Sequence, residues 1–95
     1  MRILKTTLGV NDEVQPLPGV HHWDQVVHIA CQYGPDDVSI WFTEDDRTYV
    51  REPDDLNALV VGTGHEWPEG AEYLGTALAP GKVYVWHVLK MKGKP

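Results

Sequence analysis

Five histidines, one cysteine and one serine are the side chains of this 95-residue chain with the clearest chemical potential. A zinc site takes three or four ligands, often including one short-spaced pair. His21 and His22 are adjacent, and adjacent residues on a strand point to opposite faces. His22 and Asp24 have the i, i+2 spacing that places two ligands on one face, with His65 or His87 as a distant third. No motif supports that set, so neither metal nor other cofactor is expected and a metal-dependent enzyme ranks third among the functional readings. Cys31 falls on the apolar face of an alternating segment, which makes it a small core residue rather than a nucleophile. Ser39 sits mid-strand without the Gly-x-Ser-x-Gly elbow of a serine hydrolase. No catalytic residue is assigned, and the balance leans away from an enzyme.

Gly62-Thr63-Gly64-His65 is the most distinctive loop. Two glycines around a threonine permit left-handed backbone and close approach by another group, as anion-binding nests do. The loop lacks the Gly-Lys-Ser/Thr ending of a P-loop, and no third glycine or following helix makes a dinucleotide fingerprint. With Trp67 just downstream and His87 in the last strand, it is the place where a pocket for a small anionic or nucleotide ligand is expected. The candidate ligand residues are Gly62, Thr63, Gly64, His65, Trp67 and His87, and the candidate interface residues are Trp41, Tyr84 and Trp86. Rigid aromatic rings of this kind supply contact area at low entropy cost.

The elements that must position these residues read as short strands. Arg2 to Leu8 forms a first strand, and Val14 to Pro18 is a proline-bearing edge piece. Gln25 to Tyr33 alternates, with Val27, Ile29, Cys31 and Tyr33 on one face. It pairs through Gly34-Pro35-Asp36-Asp37 with Val38 to Thr43, whose Val38, Ile40 and Phe42 share a face. Thr48 to Arg51 favours strand, and Pro53 to Leu59 could open one helical turn. Leu59-Val60-Val61 is a strand ending at Gly62, and Glu72 to Ala79 pairs with Lys82 to Leu89 across Pro80-Gly81. The fold class is therefore mostly β: a small single-domain antiparallel sandwich or partly open barrel of six or seven short strands, with at most one helical turn. Residues 1–90 form the domain and 91–95 a basic tail.

Both faces of the last strand are apolar: Val83, Val85, His87 and Leu89 on one side, Tyr84, Trp86 and Val88 on the other. Such a strand is central in two layers or covered by another chain, and the small core favours a homo-oligomer. The net charge of −6 disfavours nucleic acid, although Lys90, Lys92 and Lys94 gather near the end. The acidic runs Asp12-Glu13, Asp36-Asp37, Glu44-Asp45-Asp46 and Asp54-Asp55 read as solvated turns. No apolar run is long enough for a membrane span, nothing resembles a secretory signal, and a lone cysteine fits a reducing host cytoplasm.

Ile3-Leu4-Lys5 with Leu8, then Leu59 to His65, Tyr73-Leu74-Gly75-Thr76 and Val83 to Val88 occur here in a suggestive order. In these motifs the chain resembles a small family of uncharacterised proteins encoded by tailed phages and prophages, many from actinobacterial hosts. The likeness is dense from Leu59 to Leu89, whereas Thr48 to Asn57 is longer than the family pattern. The resemblance implies a short β-rich domain without a known activity, and it places His65 and His87 in shared motifs. It also implies a phage accessory protein that acts by binding. The leading expectation is a non-enzymatic, oligomeric binder of a host protein, and the alternative is a ligand sponge at the Gly62–Trp67 loop.

Overall fold

A computed structural model describes residues 1–51, 53–82 and 84–91. Among them are seven strands: β1 (Ile3–Gly9), β2 (Gln15–Leu17), β3 (Val26–Ala30), β4 (Asp37–Thr43), β5 (Leu56–Gly62), β6 (Glu72–Leu78) and β7 (Val85–Met91). They form two antiparallel sheets in the orders β1-β4-β3 and β2-β5-β7-β6. The sheets face each other as a sandwich. Alternation puts Leu8, Val38, Ile40 and Phe42 on the inner face of the first sheet, against Leu17, Ala58, Val60, Ala77 and Val88 of the second. At Gly75 a Cβ would lie 2.6 Å from Cδ1 of Ile29, so the absence of a side chain on β6 admits the β3 residue.

Tertiary pairing corrects three local expectations. In β3 the register slips between Val26 and His28, so Val26 opposes Phe42 and Ile29 opposes Ile40. This bulge turns Val26 and Ile29 inward together and leaves Val27 exposed, which breaks the strict alternation expected from the sequence. The helical turn is not at Pro53 but at Trp23–Gln25. Leu56 to Ala58 instead begin β5, because pairing with both β2 and β7 outweighs the local helix-start chemistry. Thr48 to Arg51 contains no strand. Gly81, at φ 81° and ψ −4°, supplies the left-handed residue of the expected turn before β7.

Strand β7 lies between β5 and β6, so it is central within one chain. Val88 and Leu89 are both fully buried, the first in the sandwich core and the second on the outer face, where Trp67 and Tyr73 line a pocket with it. Val88 and Leu89 thus find cover within one chain, while Tyr84 stays 52% exposed. Met91, expected to begin the tail, closes β7, and the Lys90 ammonium before it sits 5.6 Å from the Trp23 ring. Val83 and the remaining tail, with Lys92 and Lys94, lie outside the described residues.

One buried side chain organises the connection from β2 to β3. The Oε1 of Gln25 accepts from the backbone N–H of His21 at 2.7 Å and of His22 at 2.8 Å. Its Nε2 donates to the carbonyls of Gly19 and Thr43, each at 3.0 Å. The carboxamide thus uses all its ordinary capacity on backbone. Gln25→Leu leaves those four groups without this partner, and we expect a loss of about 2 kcal/mol or more by urea denaturation.

Candidate functional site

The end of β5 and the centre of β7 meet at the Gly62–His65 loop, whose two glycines answer different needs. Gly64 has φ 94°, a left-handed conformation that an L side chain rarely adopts. At Gly62 a Cβ would come within 3.2 Å of Cζ3 of Trp86 and 3.5 Å of Cδ2 of His65. Glycine there lets both rings close over the strand end, while the His65 N–H donates to the Gly62 carbonyl at 3.2 Å.

All six candidate ligand residues come together. Gly62, Thr63, Gly64, His65, Trp67 and His87 line a half-open pocket of about 250 Å³, joined by Val61, Tyr73 and Leu89. Val61, His87 and Leu89, from the outer faces of β5 and β7, form its floor. Trp67 and Tyr73 stack at 6.5 Å to make an aromatic wall. The wall is braced where the Trp67 indole N–H donates to the Ala71 carbonyl at 2.7 Å. None of the lining residues is lysine or arginine.

Across the floor runs a polar chain. The Nε2 of His87 lies 2.8 Å from Oγ1 of Thr63, and its Nδ1 lies 3.0 Å from Oγ1 of Thr76. Thr76 continues to the Tyr73 hydroxyl at 2.5 Å. Register explains the order, since Thr76 opposes His87 across the ladder. His65 packs over Gly62 instead, so His65 and His87 share the pocket through different partners. Tyr73 and Thr76 appeared in the sequence only within the Tyr-Leu-Gly-Thr motif; their place opposite β7 is what gives them a role.

The three candidate interface residues do not share a face. Trp86 turns into the core edge and donates its indole N–H to the Pro35 carbonyl at 2.7 Å. Tyr84 stacks on it at 5.7 Å, and the two border a second hollow of about 430 Å³ that shares Gly62, Thr63 and His65 with the first. Trp41 is on the outer face of the other sheet, opposite Lys5 and beside His28. Cys31 is half-buried against the core, and burial, then the Asp37 carboxylate, push its thiol pKa up, away from nucleophilic use. The conceivable metal set is not assembled: His22 bonds Tyr49 and Asp24 pairs with Arg47. Among the described residues, no group of three His, Cys, Asp or Glu is placed to hold a metal ion.

A second polar cluster is not apparent from sequence. His21 presents Nδ1 to Asp45 at 2.9 Å and Nε2 to Asp55 at 3.2 Å. Tyr49 donates its hydroxyl to Asp45 and lies 2.8 Å from Nε2 of His22, with its ring against both histidines. The adjacent histidines act together because they precede a 3-10 turn, where the opposite-face rule for strands does not apply. Asp45, expected in a solvated turn, has a side chain only 4% exposed. Both ring nitrogens of His21 face carboxylates, so the cluster is a clamp from the 18–25 connection to the irregular 44–55 segment rather than an open acid–base pair.

The Tyr49 hydrogen bond, followed by those of His21 and the Arg47 N–H, outweighs burial and holds the Asp45 carboxyl at about 2, below its ordinary 3.8. A carboxyl depressed on folding contributes stability above its unfolded pKa and loses it as pH falls through the folded one. Asp45→Asn therefore lowers the melting temperature at neutral pH. The gap to the parent narrows as pH falls from about 4 towards 2, which thermal unfolding followed by circular dichroism checks.

The family described as "Domain of unknown function (DUF7352)" matches residues 1–95, and the chain belongs to it. No curated protein and no solved structure matches the chain.

Proposed function

We propose that this family member is a non-enzymatic binding module whose pocket takes a small, flat, uncharged ring. The observation that carries this reading is the convergence of an aromatic wall, Trp67 and Tyr73, with a short polar chain on an otherwise apolar floor. Ligand sites commonly have this composition: mostly apolar surface with a few placed polar groups that fix orientation. A volume of about 250 Å³ is the share of about eight liquid waters, enough for one ring with its substituents. The anion expected from the glycine loop has less support, because among the described residues no lysine or arginine lines the pocket. A nucleotide would enter base first, with its phosphate outside.

An oligomeric host-protein binder is the second reading: Val88 and Leu89 are covered within one chain, but Tyr84 stays 52% exposed beside Trp86, while Trp41 lies on the other sheet. The phage accessory role implied by the resemblance remains our proposed setting, with the captured molecule being a small host or phage metabolite in the host cytoplasm. No helix among the described residues is long and apolar enough to cross a membrane.

Thermal shift with free nucleobases, indole, phenol, monosaccharides, nucleotides and inorganic phosphate tests the proposal. At a hundredfold excess over Kd, a bound ring adds about 2.7 kcal/mol of stability. We expect at least one ring compound to stabilise the parent, phosphate alone to do nothing, and Trp67→Ala to abolish the shift while keeping the fold. Stabilisation by no ring in the panel overturns the reading, and stabilisation by phosphate alone replaces it with the anion site.

A further inference from the structure

Resting on that ligand reading, we infer that Thr63 and Tyr73 select a ring carrying one hydrogen-bond acceptor and one donor on separate parts of its rim, as uracil does. The argument is a count of hydrogens. Thr63, His87, Thr76 and Tyr73 are joined by three hydrogen bonds in a line, at 2.8, 3.0 and 2.5 Å. A neutral imidazole has one N–H, so with the three hydroxyls the line has four hydrogens for three bonds.

With Thr76 committed to its two neighbours, the spare hydrogen belongs to one end. When His87 bears its proton on Nε2, it donates to Thr63. Tyr73 then donates to Thr76 and Thr76 to Nδ1, so the Thr63 hydroxyl is free to donate into the pocket and Tyr73 offers only oxygen lone pairs. When the proton is on Nδ1, every bond reverses: Thr63 becomes the acceptor and Tyr73 the donor. Both ends line the same pocket. In either state the site offers one donor and one acceptor, and the tautomer of His87 assigns them. A ring whose rim carries a C=O and an N–H far enough apart to meet both ends satisfies them together and locks one tautomer. A ring with only acceptors leaves one end unmatched, and an unmatched polar group in a bound complex costs affinity.

The experiment uses the full chain with 15N-labelled histidine and two probes, uracil and 1,3-dimethyluracil. The second keeps the ring and both carbonyls but has no N–H. Uracil is expected to bind at least about tenfold tighter, with the gap shrinking in Thr63→Val and in Tyr73→Phe. His87 nitrogen shifts should move to a single tautomer on saturation with uracil. Without ligand, Tyr73→Phe should already shift the His87 tautomer balance, although it alters only the far end of the line. Unchanged His87 nitrogen shifts in Tyr73→Phe overturn the relay. Equal affinity for the two probes, or binding of indole or phenol but not uracil, overturns the donor–acceptor class while leaving the ring-binding reading intact. Binding of no ring removes the ring-binding reading and this ligand class together, and leaves the relay to be judged by the ligand-free shifts alone.

Discussion

Val88 and Leu89 are neighbours on β7 and both are sealed from solvent, so that strand needs an apolar cover on each face. The first cover is the opposing sheet, and it produces the sandwich. The second comes from Trp67, in the segment after β5, and Tyr73, on β6, which line one pocket with Leu89. A loop that crosses a sheet only meets it where side chains fit, and beside this one the Gly62–His65 turn leaves the surface open. The pocket is thus a by-product of covering a strand that is apolar on both sides.

Polar groups do the corresponding work where the chain has no ladder. The 18–25 connection and the 44–55 segment have little regular pairing of their own, and buried backbone without partners is costly. Gln25 supplies four of those bonds from one carboxamide. His21, Asp45, Tyr49 and Asp55 then join the two stretches side chain to side chain. Removing any member leaves its partner short of a bond, so the cluster behaves as a unit rather than as separate surface pairs.

How far the sequence could be read follows the range of the forces involved. Strands with clean alternation or a Pro-Gly turn were legible: β1, β4, β6 and β7 lie close to where the pattern puts them. The pocket was legible too, because Gly62 to Trp67 are contiguous and His87 is apolar-flanked in a central strand. What failed depended on distant partners. The bulge at Val27 exists because β3 must match β4, and nothing within β3 encodes it. The start of β5 at Leu56 is decided by β2 and β7 against a local helix signal. The clamp joins residues 24 and 34 positions apart, and Asp45 looked like one acid among many in a turn. Tyr73 and Thr76 gained a role only from the register of β6 on β7.

The free margins of the two sheets have a consequence for how copies of this chain could add to one another. Exposed margins invite strand-by-strand polymerisation, because their N–H and C=O groups repeat at the spacing of an incoming chain. Three of the four are interrupted: β3 and β6 by register shifts, and β2, only three residues long, by Pro16, which has no N–H to offer. The fourth, β1, is regular but has the ammonium of Lys5 at its middle, drawn over the Tyr33 ring. With three margins interrupted and the fourth charged, strand-by-strand addition of copies is disfavoured along the margins of the described sheets.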